Sequence, residues 1–152
     1  MAKFYPKETE LIRDLLGSKK NRPLLVLLDG DLGVGKTTFT KELLSSYGLS
    51  PDEIQSPTFL KLLEYDVPKL GLCLHIDAYR MEDFEDCAKL SLESYEDFEL
   101  CLLEWPEIFT DYWKQNPELL RVLSFGEIVR IGFVLDAASG ERSLQIEKGL
   151  IL

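Results

Sequence analysis

A chain of 152 residues with 45% apolar and 29% charged side chains is enough for one domain of ordinary size, burying about two-thirds of the surface its unfolded form exposes, with the composition of a soluble globular protein. No apolar run approaches membrane-spanning length, the first residues lack the apolar core of a signal peptide, and Cys73, Cys87 and Cys101 stand in no metal-type spacing; the expectation is reduced core thiols in a cytoplasmic protein with no membrane contact. The formal net charge of −10 is concentrated, because residues 81–118 carry twelve acids against Lys89 and Lys114 while the remainder balances at fifteen of each sign, and such a chain lacks the cationic face that nucleic-acid backbones require.

In chain order, Leu11, Ile12, Leu15 and Leu16 give a short amphipathic helix closed by Gly17. Residues 24–28, Leu-Leu-Val-Leu-Leu between Pro23 and Gly30, read as a fully buried strand. Phe39, Leu43, Leu44 and Tyr47 then mark one face of a second helix, with Gly48 where a C-terminal cap belongs. Residues 58–65 and 72–77 read as two strands joined by a turn through Pro68 and Gly71. Residues 82–98 are expected to be helical and exposed; their acids form either a solvated surface or a docking face for a basic partner. Residues 100–103 are a second buried strand, and residues 128–135 and 143–148 form a terminal hairpin around Ala137-Ala138-Ser139-Gly140. The sum is a single α/β domain over residues 1–152: a P-loop NTPase-like mixed sheet, parallel at the nucleotide site, with antiparallel additions and a C-terminal hairpin.

The chemistry centres on Gly30-Asp31-Leu32-Gly33-Val34-Gly35-Lys36-Thr37, an intact P-loop with the strand before it and helix after it that the motif demands. Its glycines allow successive N–H groups to point at phosphate oxygens. Lys36 reaches the β- and γ-phosphates and the Thr37 hydroxyl sits on Mg²⁺, while the helix N-terminus adds its dipole. The metal needs an acid at the end of a neighbouring buried strand. Glu104 fits best, after Leu100-Cys101-Leu102-Leu103, and Asp77 competes from the end of residues 72–76; a P-loop enzyme can use both, one on the metal and one orienting the attacking water. The lone His75 has no assigned role. Arg80 serves a phosphate or the acidic run after it, Trp105 stacks near the site or plugs the strand end, and Ser56-Pro57-Thr58-Phe59 lies where many P-loop proteins sense the γ-phosphate.

Taken together, Gly30 to Phe39, Ser56-Pro57-Thr58-Phe59, His75-Ile76-Asp77-Ala78-Tyr79-Arg80 and Leu103-Glu104-Trp105-Pro106-Glu107 resemble, in the same order, four motifs of the TsaE ATPases of bacterial tRNA threonylcarbamoyladenosine synthesis. The resemblance implies that Gly30, Asp31, Leu32, Gly33, Val34, Gly35, Lys36, Thr37 and Thr38 bind ATP, with Trp105 beside the nucleotide. It implies that Thr37 and Glu104 hold Mg²⁺ and that Asp77 and Glu104 are catalytic. It also implies TsaB- and TsaD-like partners, which transfer the threonylcarbamoyl group to adenosine thirty-seven of tRNA and contact the tRNA, while ATP turnover here resets them. Two stretches depart from the family pattern: Leu90-Ser91-Leu92 lacks the usual central glycine, and residues 108–113 replace a glycine-rich loop. No arginine finger is evident, so turnover is expected to be weak alone and stimulated by partners. The alternatives are a P-loop small-molecule kinase, disfavoured by the acidic rather than arginine-rich segment after Arg80, and a nucleotide-gated binding module without useful turnover.

Overall fold

The computed structural model describes residues 4–18, 22–31, 33–56 and 61–152. Its elements are α1 (Pro6–Ser18), β1 (Leu24–Asp29), α2 (Lys36–Ser45), β2 (Leu62–Val67), β3 (Gly71–Asp77), α3 (Phe84–Lys89), β4 (Leu100–Glu104), α4 (Glu107–Gln115), α5 (Pro117–Leu123), β5 (Glu127–Leu135) and β6 (Arg142–Glu147), with 3-10 turns at Pro51–Glu53 and Leu92–Ser94. One six-stranded sheet has the order β2-β3-β4-β1-β5-β6. The four inner strands β3, β4, β1 and β5 are mutually parallel, and β2 and β6 close the two edges antiparallel. The mixed sheet expected from the pattern of apolar runs is therefore observed, including the C-terminal hairpin.

The uninterrupted apolar character of β1 follows from burial on both faces. Because side chains alternate along a strand, Leu24, Val26 and Leu28 join one core with α1 and α2, whereas Leu25 and Leu27 join a second core with α3, α4 and α5. β4 divides the same way, with Leu100 and Leu102 on the first side and Cys101 and Leu103 on the second. On β3, Cys73 belongs to the α2 side and Leu74 and Ile76 to the other. This parity puts His75 and Asp77 on the face that carries α2, and Glu104 shares that face through Leu100 and Leu102. All three cysteines are buried free thiols, and burial pushes Cys87 and Cys101 up to about 12, so they are packing residues rather than nucleophiles. Among the described residues no helix is long and apolar enough to cross a membrane.

The second helix ends as its sequence implies. Leu49 N–H donates to Leu44 O at 3.2 Å and Gly48 N–H to Ser45 O at 3.0 Å, the paired bonds of a Schellman cap, with Gly48 at φ 99° in the left-handed position that glycine tolerates. Leu44 and Leu49 bury themselves in the same core, which completes the cap. Elsewhere the elements shift. α1 runs through Gly17 to Ser18, so that glycine lies inside the helix. Residues 58–60 of the expected strand lie outside the described residues, and β2 begins at Leu62 and extends to Val67. The expected helix over 82–98 shortens to α3 and the Leu92–Ser94 turn. Ser91 adopts φ 48°, and Leu92, Phe98 and Cys87 anchor the segment into the second core, so packing rather than continuous helix determines its course.

Candidate active site

The parallel arrangement brings the C-terminal ends of β1, β3 and β4 to one edge of the sheet, where α/β proteins bind ligands. Asp77 and Glu104 are register partners in the β3–β4 ladder, and Leu28 pairs with Glu104 across β1–β4. Two carboxylates therefore sit on neighbouring strand ends, about 4.8 Å apart in backbone spacing, beside the loop that leaves β1. Both are buried, Asp77 at 2% and Glu104 at 4% exposure. Such a pair is unfavourable unless cations compensate it.

The first compensation is Lys36. It opens α2, and its Nζ donates to Gly30 O at 2.7 Å while lying 3.8 Å from Glu104 Oε1. The lysine thus folds back over the loop. Burial lowers the Lys36 pKa from the ordinary lysine value, against the opposing pull of Glu104, Asp77, Asp29 and Asp31. Its ammonium also lies 4.2 Å from the centre of the Trp105 ring, a cation–π distance. Trp105 reaches this place because its backbone turns into the left-handed region, φ 54°, immediately after Glu104; a non-glycine residue there costs about 1–3 kcal/mol, and such residues cluster at functional sites. Tyr79 supports the indole from the other β-strand end, with ring centres 4.9 Å apart.

Gly35 is the N-cap of α2 at φ 114°. Any Cβ at this position would collide with the Tyr5 hydroxyl, so both conformation and space require glycine here. The chain before α1 is drawn onto the loop because the buried Glu42 carboxylate of α2 accepts the N–H groups of Phe4 and Tyr5. The N–H groups in the first turn of α2 have no intrahelical acceptor, as at every helix start. They open onto a cleft of roughly 230 Å³ lined by Gly33, Gly35, Lys36, Thr37, Thr38, Ser56, Asp77, Glu104 and Arg142. Orphan N–H donors, a helix N-terminus and a buried lysine form an anion site. The two carboxylates and the Thr37 hydroxyl in the same lining are oxygen donors suited to Mg²⁺. The set fits a metal-bound polyphosphate better than a bare anion, since an unaccompanied polyphosphate would meet Asp77 and Glu104 directly.

Of the residues singled out from the sequence, Gly33, Gly35, Lys36, Thr37, Thr38, Ser56, Asp77 and Glu104 line this one cleft, and Trp105 lies against Lys36. Val34 instead turns inward to the first core, and Asp31 is exposed; Leu32 and residues 57–59 lie outside the described residues. Asp77 also caps the turn after β3, accepting the Tyr79 N–H at 2.9 Å, so its local and cleft-facing roles coexist. Arg80 is exposed and outside the cleft lining. Arg142 is the residue that motif reading missed. β6 runs antiparallel to β5, with Arg142 opposite Leu135, and this pairing delivers its first side chain to the carboxyl edge. The only sequence signal for it was a basic residue just after a hairpin turn.

The family model described as threonylcarbamoyl adenosine biosynthesis protein TsaE matches residues 5–127. Relatives named tRNA threonylcarbamoyladenosine biosynthesis protein TsaE include one from Rickettsia prowazekii, 37% identical over 102 residues, which are 67% of this chain and 70% of the relative. The Bacillus subtilis protein of that name is 37% identical over 112 residues, 73% of this chain and 68% of its own length. The Haemophilus influenzae protein is 33% identical over 108 residues, 70% and 65% respectively. The matched span ends at the start of β5, so Arg142 lies beyond the family match.

Proposed function

The chain belongs to the TsaE family of threonylcarbamoyl adenosine biosynthesis proteins, and from this premise we propose that it is a Mg²⁺-dependent ATPase whose turnover serves threonylcarbamoylation of adenosine thirty-seven in tRNA. The observation that carries the reading is the convergence of Lys36 at a helix N-terminus with the buried pair Asp77 and Glu104 in one cleft. Family membership supports the pathway; the cleft supports the chemistry.

In this reading the N–H groups at the start of α2 and the Lys36 ammonium hold the β- and γ-phosphates, which requires Lys36 to exchange Gly30 O for phosphate oxygen. Thr37 and Glu104 would hold Mg²⁺, whose positive charge, when the ion is bound, would offset that of the phosphates. Asp77 orients the attacking water toward the γ-phosphate. Trp105, backed by Tyr79, covers the lysine and limits access of bulk water. TsaB- and TsaD-like proteins are the partners, making the tRNA contact and carrying out the transfer, and hydrolysis resets them between rounds; the compartment is the cytoplasm.

Asp77→Ala tests the assignment. It is expected to lower phosphate release by about 100-fold or more, in the range for loss of a positioned acid–base group, while ATP binding measured by calorimetry stays within a few-fold of the wild type. Equal loss of binding and turnover would overturn the role given to Asp77. Orthophosphate release that no TsaB- and TsaD-like pair stimulates, or transfer of the γ-phosphate to a small acceptor instead, would overturn the proposed function.

A further inference from the structure

His75 is fully buried on β3, two residues before Asp77 and on the same face of the sheet. It does not line the cleft, yet its Nε2 lies 2.6 Å from Glu104 Oε2, across the β3–β4 ladder in which His75 is the register partner of Leu102. The distance is that of a short bond between a ring nitrogen and a carboxylate. The other ring nitrogen, Nδ1, is buried with no hydrogen-bond partner among the described residues. One tautomer fits both facts: the proton sits on Nε2, where Glu104 accepts it, and Nδ1 is left as a bare lone pair, since an N–H there would be a buried donor with nothing to receive it. The surroundings reinforce the placement, because Cys73 and Tyr65 pack on this face of the sheet, and the Tyr65 ring centre lies 6.4 Å from the imidazole.

The consequence falls on Glu104. Its Oε2 is tied to His75 behind the cleft wall, and its Oε1 is the oxygen that faces Lys36 at 3.8 Å. A carboxylate at a strand end can rotate about its last bond; this one is held by a donor that is itself locked in a close-packed core. We propose that His75 is a positioning residue for the divalent-cation site: by donating from Nε2 to Glu104 Oε2, it fixes the carboxylate so that Oε1 is presented to the metal of the bound nucleotide. This rests on the Mg²⁺-nucleotide reading above and extends it to a residue that never touches nucleotide or metal. Partners of metal-ligating groups act in this way, and their loss typically weakens metal binding or activity by 10–100-fold.

The test is calorimetric binding of a non-hydrolysable ATP analogue to the full chain, in EDTA and across a Mg²⁺ series. The variants are His75→Leu, which removes the donor, and His75→Gln, whose amide supplies one near the Nε2 position. In EDTA all three proteins are expected to bind the analogue alike. The Mg²⁺ concentration at half-effect should rise about 10–100-fold in His75→Leu and return to within a few-fold of the wild type in His75→Gln. If circular dichroism shows His75→Leu unfolded, His75→Asn makes the same comparison, because its shorter amide does not reach Oε2. An unmoved Mg²⁺ midpoint overturns the positioning role, and so does equal loss of analogue affinity with and without Mg²⁺, the signature of a core residue that merely packs. A wild-type protein whose analogue binding is indifferent to Mg²⁺ overturns the parent reading, and this inference with it.

Discussion

Two cations, Lys36 and Arg142, line one cleft with two buried carboxylates, Asp77 and Glu104, and each cation reaches the site by a different route. Lys36 arrives with the motif itself. Arg142 arrives because an antiparallel edge strand begins where the parallel strands end. Arginine suits phosphate recognition through its fixed fork of donors, and this one stands close enough to Gly35 that its Nη1 would lie 3.7 Å from a Cβ there. We expect Arg142→Ala to weaken binding of an ATP analogue about tenfold, which corresponds to roughly 1.4 kcal/mol and the lower end of a hydrogen bond to a charged group, given that Arg142 is exposed. Arg142→Lys should recover part of the loss. Titration calorimetry at two salt concentrations checks this, and an unchanged affinity in Arg142→Ala would remove the residue from the site. The asymmetry explains what could be read in advance. Lys36 and Thr37 were legible because the P-loop is a local pattern, and Asp77 and Glu104 because a carboxylate after an apolar strand has a preferred place in such folds. Arg142 and the His75–Glu104 contact depend on pairing between distant segments, which no spacing within the chain encodes.

At the scale of elements, the two glycines that look alike in sequence behave oppositely. Gly48 occupies a left-handed cap at φ 99°, and a Cβ there would meet Pro68 Cβ at 3.4 Å. Gly17 lies within α1 with no heavy atom within 4 Å of such a Cβ. Gly48→Ala is therefore expected to lower unfolding stability by about 1–2 kcal/mol, the cost of a side chain in left-handed backbone. Gly17→Ala should raise it by about 0.5–1 kcal/mol, by reducing the entropy lost when a helical glycine folds. Urea titration of both variants with unchanged m-values reads the pair, and the same sign in both would refute the assignment. The periodicity that located α2 and the hairpin is strong because one face of each is buried. α4 and α5 went unread although Ile108, Phe109, Tyr112 and Trp113 recur at helical spacing and Pro117 opens the next helix. Residues 108–113 stand where the family pattern has a glycine-rich loop, and the helix there is what replaces it. Over 82–98 the acids are interleaved with Cys87, Leu92 and Phe98, whose burial breaks the expected continuous, exposed helix into α3 and a turn.

For the whole molecule, the sheet sets a division of labour between its two faces. The α2 face and the carboxyl edge carry the cleft, while the opposite face carries α3 and α4, along which much of the negative charge is strung. Not every acid there is free to serve a partner. Asp83 accepts the Asp86 N–H at 3.0 Å and Asp86 accepts the Glu82 N–H at 2.9 Å, and these bonds start α3 in the manner of side-chain caps. Reversing Asp83 or Asp86 would therefore confound docking with local unfolding. The exposed side chains of Glu82, Glu85, Glu93 and Glu96 accept neither of these capping bonds and lie outside the cleft lining, so their replacement by lysine isolates the electrostatic question. If this face meets a basic surface on the proposed TsaB- and TsaD-like partners, the fourfold glutamate-to-lysine variant should associate at least tenfold more slowly at low salt, and the difference should shrink as ionic strength rises and the screening length falls below about 10 Å. Its ATP turnover in the absence of partners should match the wild type, since steering charges act on encounter rather than on chemistry. Surface-plasmon association rates over a salt series distinguish the cases: a parallel salt dependence in wild type and variant would assign docking to another face and leave the acids as a solvated surface.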